Sequence, residues 1–152
     1  METAQEHVVV RLGGCRYGLP MPDVAEVGRP PSLTRVPGLP EWVVGVANWR
    51  GRVLAVLDVR GLLGGRVEPV GRAGRMVVLN RGAVSVGLVV EAVEGALEVA
   101  AGDVEAALLH LPARTASLLA GQVTDADGPC ALLDLAAVFA LADELPRTRR
   151  AG

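Results

Sequence analysis

The sequence predicts an all-β protein: two small five-stranded barrels packed together, followed by a short C-terminal helix. Three observations carry this. Short Val- and Leu-rich runs alternate with glycine-bearing turns along most of the 152 residues. The runs and turns occur twice, in the same order. Past Leu133 the apolar spacing changes from strand-like to helical.

His7 to Leu12 is a Val-rich run ended by Gly13-Gly14, which can supply the positive φ of a tight hairpin, and Cys15 to Leu19 is the return strand. Pro22 suits the first position of a short helical turn over Asp23 to Glu26. Ser32 to Val36 is extended. Trp42 to Ala47 and Arg52 to Val59 flank Asn48-Trp49-Arg50-Gly51, a hairpin tip with a glycine punctuator. Val59 to Leu63 suits a half-turn of helix. Residues 65–74 are polar and glycine-bearing and read as a linker. Strands then resume over Arg75 to Asn80, Ala83 to Val90, Ala96 to Val99, Leu118 to Thr124 and Pro129 to Leu133. Asp134 to Leu145 is a helix with Leu135, Val138, Phe139 and Ala142 on one side and Asp134 as its N-cap. Pro146 stops it, and residues 146–152 form a frayed tail.

The repeat divides the chain. Gly13 and Gly18 recur 69 residues later as Gly82 and Gly87, in the same relation to Val8-Val9-Val10 and Val77-Val78-Leu79. Gly45 and Asp58 recur 76 residues later as Gly121 and Asp134. The second copy therefore carries seven extra residues between Val90 and Leu118. One domain over residues 7–141 follows, with subdomains of about 7–64 and 75–141. Five short strands per copy are stable when closed into a barrel, because closure removes the unpaired edges that invite aggregation.

Composition excludes more than it selects. With 15 basic and 17 acidic residues the formal charge is -2, which argues against a nucleic-acid partner. The N-terminus is polar and acidic, without a secretory pattern, so a cytoplasmic location is expected. Leu132 to Ala142 is too short to span a bilayer and is interrupted by Asp134, so no membrane insertion is expected. Cys15 and Cys130 make no CxxC pair and read as free, buried or half-buried thiols.

Candidate chemistry is sparse. The chain has no lysine, so no phosphate-binding Gly-x-x-x-x-Gly-Lys loop exists, and Gly-x-Ser-x-Gly is absent. His7 and Cys15 flank a glycine turn but lack a third orienting residue, and read as a surface imidazole and a strand thiol. Asp58 and Asp134 occupy equivalent repeat positions, which favours capping over a carboxylate dyad. No enzyme activity, catalytic residue, cofactor or metal is expected. Trp49-Arg50 at the hairpin tip is the conspicuous feature, because Trp and Arg are enriched at interface hot spots. A half-buried Trp beside a solvated Arg is the alternative reading.

Residues 17–27 (Tyr-Gly-Leu-Pro-Met-Pro-Asp-Val-Ala-Glu-Val), 34–40, and 42–60 with Gly45, Asn48-Trp49-Arg50-Gly51 and Asp58-Val59-Arg60 resemble the motifs of CheW-like domains. The resemblance is specific from Tyr17 to Leu63 and collinear but weaker from Arg75 to Leu141. It implies two SH3-like barrels and a stand-alone adaptor coupling methyl-accepting chemoreceptors, through their cytoplasmic tips, to the regulatory domain of a CheA-type histidine kinase in chemotaxis. It also implies partner binding at Glu26, Val27, Gly45, Asn48, Arg50 and Gly51. Trp49 stands where the family usually has leucine, and joins that set as a residue that alters either the partner-facing surface or the core. Ala106-Ala107 replaces prolines common in the family. An adaptor of a non-chemotaxis signalling or motility array is the alternative, and a nucleic-acid-binding small barrel a more distant one.

Overall fold

The computed structural model describes residues 3–106 and 111–143. Ala107, His110, the expected helix end at 144–145 and the tail at 146–152 lie outside the described residues. The first copy forms β1 (Ala4–Leu12), β2 (Cys15–Pro20), β3 (Val24–Gly28), β4 (Val43–Trp49) and β5 (Arg52–Leu57). The second forms β6 (Arg75–Arg81), β7 (Val84–Val90), β8 (Ala92–Ala100), β9 (Leu119–Asp125) and β10 (Gly128–Leu133). Two helices, α1 (Ala113–Ser117) and α2 (Leu135–Asp143), complete the described chain.

Two five-stranded sheets result, ordered β8-β1-β2-β10-β9 and β3-β6-β7-β5-β4. Written by position within each copy, both orders read third, first, second, fifth, fourth. The leading hairpin of each copy is thus inserted into the sheet of the other. The parallel contacts β2–β10 and β5–β7 are where each hairpin meets its host. The sheets therefore do not follow the sequential halves: the segment at 65–74 separates the repeats in sequence, while β1–β2 and β8–β10 share one sheet across it. The chain crosses between sheets twice, at Met21–Asp23 and at Glu91.

Strand alternation explains the core. Val9, Val123, Cys130 and Leu132 fill the interior of the sheet holding β1, and Leu54, Val56, Met76 and Val78 that of the sheet holding β6. Their neighbours in sequence, including Val8, Val10, Leu57, Val77, Leu79 and Leu133, point the other way into a third cluster with α2. That cluster draws on both sheets and joins them. Strands buried on both faces read as continuous apolar runs, hence Val8-Val9-Val10 and Val77-Val78-Leu79. In the β6 sheet the edge strands β3 and β4 meet through Trp49 and Gly28. In the other sheet β8 and β9 face each other across a groove. Each sheet thus curls into a barrel.

Local differences have local causes. The turn after Pro20 is a 3-10 turn at Met21–Asp23, because the expected helical residues Val24 to Glu26 instead join β3 and pair with β6. His7 is 6% exposed, not at the surface, because β1 begins at Ala4 and places it between Pro20 and Leu97 of the neighbouring strands. Cys15 is exposed and pairs with Leu12 at the far end of the hairpin, so His7 and Cys15 cannot act together. Asp134 caps α2, accepting from the Ala137 amide at 3.3 Å. Asp58 accepts from the Arg60 amide at 3.1 Å and also binds the Arg60 side chain.

Candidate functional site

The hairpin between β4 and β5 is a two-residue turn with φ of +52° at Arg50 and +82° at Gly51. Positive φ at both central positions marks the primed turns that suit the twist of antiparallel strands. Asn48 stabilises it by accepting the Gly51 amide hydrogen bond on Oδ1 at 3.0 Å. Arg50 therefore occupies a backbone conformation that glycine adopts more readily.

This turn carries Trp49 and Arg50 onto Glu26 of β3. Trp49 donates from Nε1 to Glu26 Oε2 at 2.9 Å, and Arg50 Nε lies 2.7 Å from Glu26 Oε1. The Arg50 guanidinium carbon is 5.5 Å from the centroid of the Trp49 ring, within cation–π range. One carboxylate thus holds both tip residues. The Arg50 side chain remains 71% exposed, and Val27 beside Glu26 is also exposed. The arrangement is a shaped surface of indole edge, guanidinium and carboxylate. The pocket that Glu26, Trp49 and Arg50 line with Arg52 and Asn80 is small, about 110 Å³, and Trp and Arg are residue types enriched at interface hot spots.

Of the sequence-predicted positions, the structure brings together Glu26, Trp49 and Arg50, with Asn48 and Gly51 shaping the turn and Val27 alongside. Gly45 is separate: it is buried on β4, where a Cβ would come 2.6 Å from the Thr34 carbonyl oxygen. Thr34 pairs there with Val46, and Glu105 pairs with Gln122 beside Gly121 in the second copy. Gly45 acts by admitting a backbone segment, which its repeat partner Gly121 also does.

Sequence reasoning missed a second surface next to the tip. Val53 on β5 is 73% exposed and Val84 on β7 is 47% exposed. The parallel register of Ala55 with Val86 places them side by side. Both strands continue into core positions on the same face, so alternation alone assigns Val53 and Val84 to the interior. They are exposed because they lie on that face beyond the residues that join the third cluster. Elsewhere a cavity of about 600 Å³ is lined by Trp42, Val44, Leu62 and Val67, with Arg114 over the Trp42 ring at 4.8 Å. Among the described residues no cluster of His, Cys, Asp and Glu could hold a metal ion.

The family model described as CheW-like domain matches residues 6–143. Protein PilI of Pseudomonas aeruginosa is 41% identical over 85 residues, 56% of this chain and 48% of PilI. Protein FrzA of Myxococcus xanthus is 34% identical over 100 residues, 66% of this chain and 62% of FrzA. The chemotaxis protein CheW of Klebsiella aerogenes is 29% identical over 103 residues, 68% of this chain and 62% of that protein. The matched segments thus span from just under half to just under two thirds of these relatives. The crystal structure of the scaffolding protein TtCheW from Thermoanaerobacter tengcongensis superposes with a TM-score of 0.78 at 24% identity, covering 88% of this chain and 86% of that one. That likeness is one of fold.

Proposed function

The chain belongs to the CheW-like domain family, and from this premise we propose that it is a non-catalytic adaptor coupling chemoreceptors to a CheA-type histidine kinase. The observation that carries the reading is the family match over residues 6–143. Glu26 and Arg50, which meet at the tip, lie in the stretches that resemble the family's motifs, with Trp49 in place of the usual leucine. The relatives named chemotaxis protein CheW and the TtCheW scaffold support it.

In this reading recognition works by shape. The apolar Val53–Val84 end of one barrel packs against the matching barrel of the kinase regulatory domain. The surface between the two barrels takes the cytoplasmic tip of a helical receptor bundle, while Arg50, next to the Val53–Val84 end, offers a planar fork to acceptor groups of the partner that meets the hairpin tip. One adaptor holding two partners raises their effective concentration for each other. The adaptor works in the cytoplasm, and among the described residues no helix is long and apolar enough to cross a membrane.

A second reading keeps the adaptor and changes the output to a non-chemotaxis array. The names PilI and FrzA, which differ from chemotaxis protein CheW, favour it. Co-purification of the native chain with a CheA-type kinase and a receptor signalling fragment from the same cell tests both. Capture of kinase and receptor supports coupling, and capture of neither removes it. The receptor class recovered separates chemotaxis from another output.

A further inference from the structure

Both crossings between the sheets are short, and the second is fastened by charge. Glu91 is the residue between β7 of one barrel and β8 of the other. Its backbone amide donates to the Arg11 carbonyl at 2.9 Å. Its carboxylate accepts from the Gly13 and Gly14 amides, both at 3.1 Å, in the β1–β2 turn. It also accepts from Arg60 Nη1 at 3.0 Å. Arg60, whose side chain is 4% exposed, gives two further donors to Asp58, with Nη2 to Oδ2 at 2.8 Å and Nε to Oδ1 at 3.0 Å. Two carboxylates on one guanidinium leave a surplus negative charge, and the two glycine amides face it.

The backbone is shaped for the same contact. Gly13 and Gly65 approach so closely that a Cβ on Gly13 would lie 2.7 Å from Gly65 Cα. The Gly65 amide donates to the Arg60 carbonyl at 2.9 Å, placing that turn under the β1–β2 hairpin. Asp58 and Arg60 follow the inner end of β5, and Glu91 follows the inner end of β7. The outer ends of those two strands carry Val53 and Val84. A six-residue strand is about 20 Å long, so the apolar patch and the charged joint sit at opposite ends of the same parallel pair.

We infer that Arg60 and Glu91 are positioning residues that set the angle between the two barrels, and with it the shape of any surface a partner meets by touching both. The apolar contact between the barrels supplies adhesion without direction. The guanidinium fork and the amide-bound carboxylate supply direction, because their hydrogen bonds hold at one geometry. The functional half of the inference rests on the adaptor reading. It assigns the receptor, which lies across both barrels, a dependence on the joint that the kinase, docked on the end of one barrel, lacks.

Residual dipolar couplings of the full chain test the joint without any partner. In the wild type, amides of the two sheets fit one alignment frame. Glu91→Gln removes the charge and leaves one acceptor oxygen, so its NH2 faces either the Gly14 amide or both the Gly13 amide and Arg60 Nη1, which share Oε2, and Arg60→Lys keeps the charge but loses the fork. Each variant is expected to need two frames, with the couplings inside each sheet unchanged. Glu91 is partly exposed, so its variant folds even if Arg60→Lys does not. One shared frame in Glu91→Gln overturns the inference. Titration then reads the consequence: a receptor-tip fragment weakened about tenfold, within the usual range of coupling between sites, and a kinase regulatory domain bound as before. Equal receptor affinity in a variant with two frames overturns the functional half. If the wild type binds neither fragment, the adaptor reading fails while the couplings still decide the joint.

Discussion

The ring of Trp49 lies directly on Gly28: a Cβ at Gly28 would come within 2.6 Å of the indole Cη2. Gly28 ends β3 and Trp49 ends β4, so this contact closes the barrel at its two edge strands. The usual family leucine lacks both the reach and the N–H that Glu26 accepts. Gly28→Ala should push the indole aside, break its hydrogen bond and cost about 1–3 kcal/mol, as overpacking does. Adding Trp49→Leu should recover most of that loss, because the two changes touch the same space. Denaturant melts of both single variants and the double check this; strict additivity would mean that the ring does not rest on Gly28.

Leu57 is fully buried between the barrels, and Arg52 points from the same strand to solvent, where it donates to Ser85 Oγ at 2.6 Å. Leu57→Ala should cost about 2–5 kcal/mol through lost transfer energy and the cavity left behind. Arg52→Ala should cost less than about 0.5 kcal/mol, as at other surface positions. Equilibrium unfolding in urea gives the ranking, and the reverse order would contradict the strand phase.

Tyr17 is the single tyrosine and is buried, which pushes its phenol up to about 12, with Cys15 adding to the shift. The unfolded chain releases that proton near pH 10. Stability from neutral Tyr17 is therefore present below about pH 10 and is lost as pH rises toward 12. Tyrosinate absorbance during an alkaline titration should rise with a midpoint near 12. A midpoint near 10 in protein that is still folded would show an exposed ring.

Glu91 supplies the acid-side counterpart. Burial opposes its charge, yet the Gly14 amide, the Arg60 guanidinium and the Gly13 amide together hold its carboxyl below the ordinary value. A depressed folded value means stability that is present above about pH 4.3, the unfolded glutamate range, and is lost as pH falls through the folded value. Melts across that window should show a shallower acid decline for Glu91→Gln than for the wild type. Identical slopes would mean that the carboxyl titrates normally.

How far the sequence discloses this protein depends on what each signal encodes. The strands were legible because burial on two faces leaves unbroken apolar runs, as at Val77-Val78-Leu79, and the duplication was legible because Gly45 and Gly121 each admit a crossing backbone. The hairpin exchange was not, since β1 and β6 carry the same alternation and fit either host sheet. Trp49 and Arg50 stood out as interface residue types at a turn. Glu26 was known only from the family motif, and its grip on both tip residues needed the structure. Arg60 was opaque because an arginine after a strand is ordinarily solvated, and nothing local announces Glu91, 31 positions away, as its partner.

Arg50 separates folding from recognition. Its ion pair with Glu26 is largely exposed and should contribute less than about 1 kcal/mol. Arg50→Gly relaxes the positive φ and should fold at least as well as the wild type, while losing the guanidinium. If the tip is a hot spot, Arg50→Ala and Arg50→Gly should weaken one partner by about 2 kcal/mol, roughly thirtyfold. Arg50→Lys should also weaken it, because a single ammonium cannot reproduce the fork.

The most direct measurement is titration of the native chain with a kinase regulatory domain and a receptor-tip fragment, each alone and then both together, followed by sedimentation of the mixture. An adaptor with two separate surfaces should form a ternary complex, in which neither fragment displaces the other and Arg50→Ala weakens one of the two contacts. Mutual displacement of the fragments, or binding of only one of them by the intact chain, would contradict coupling.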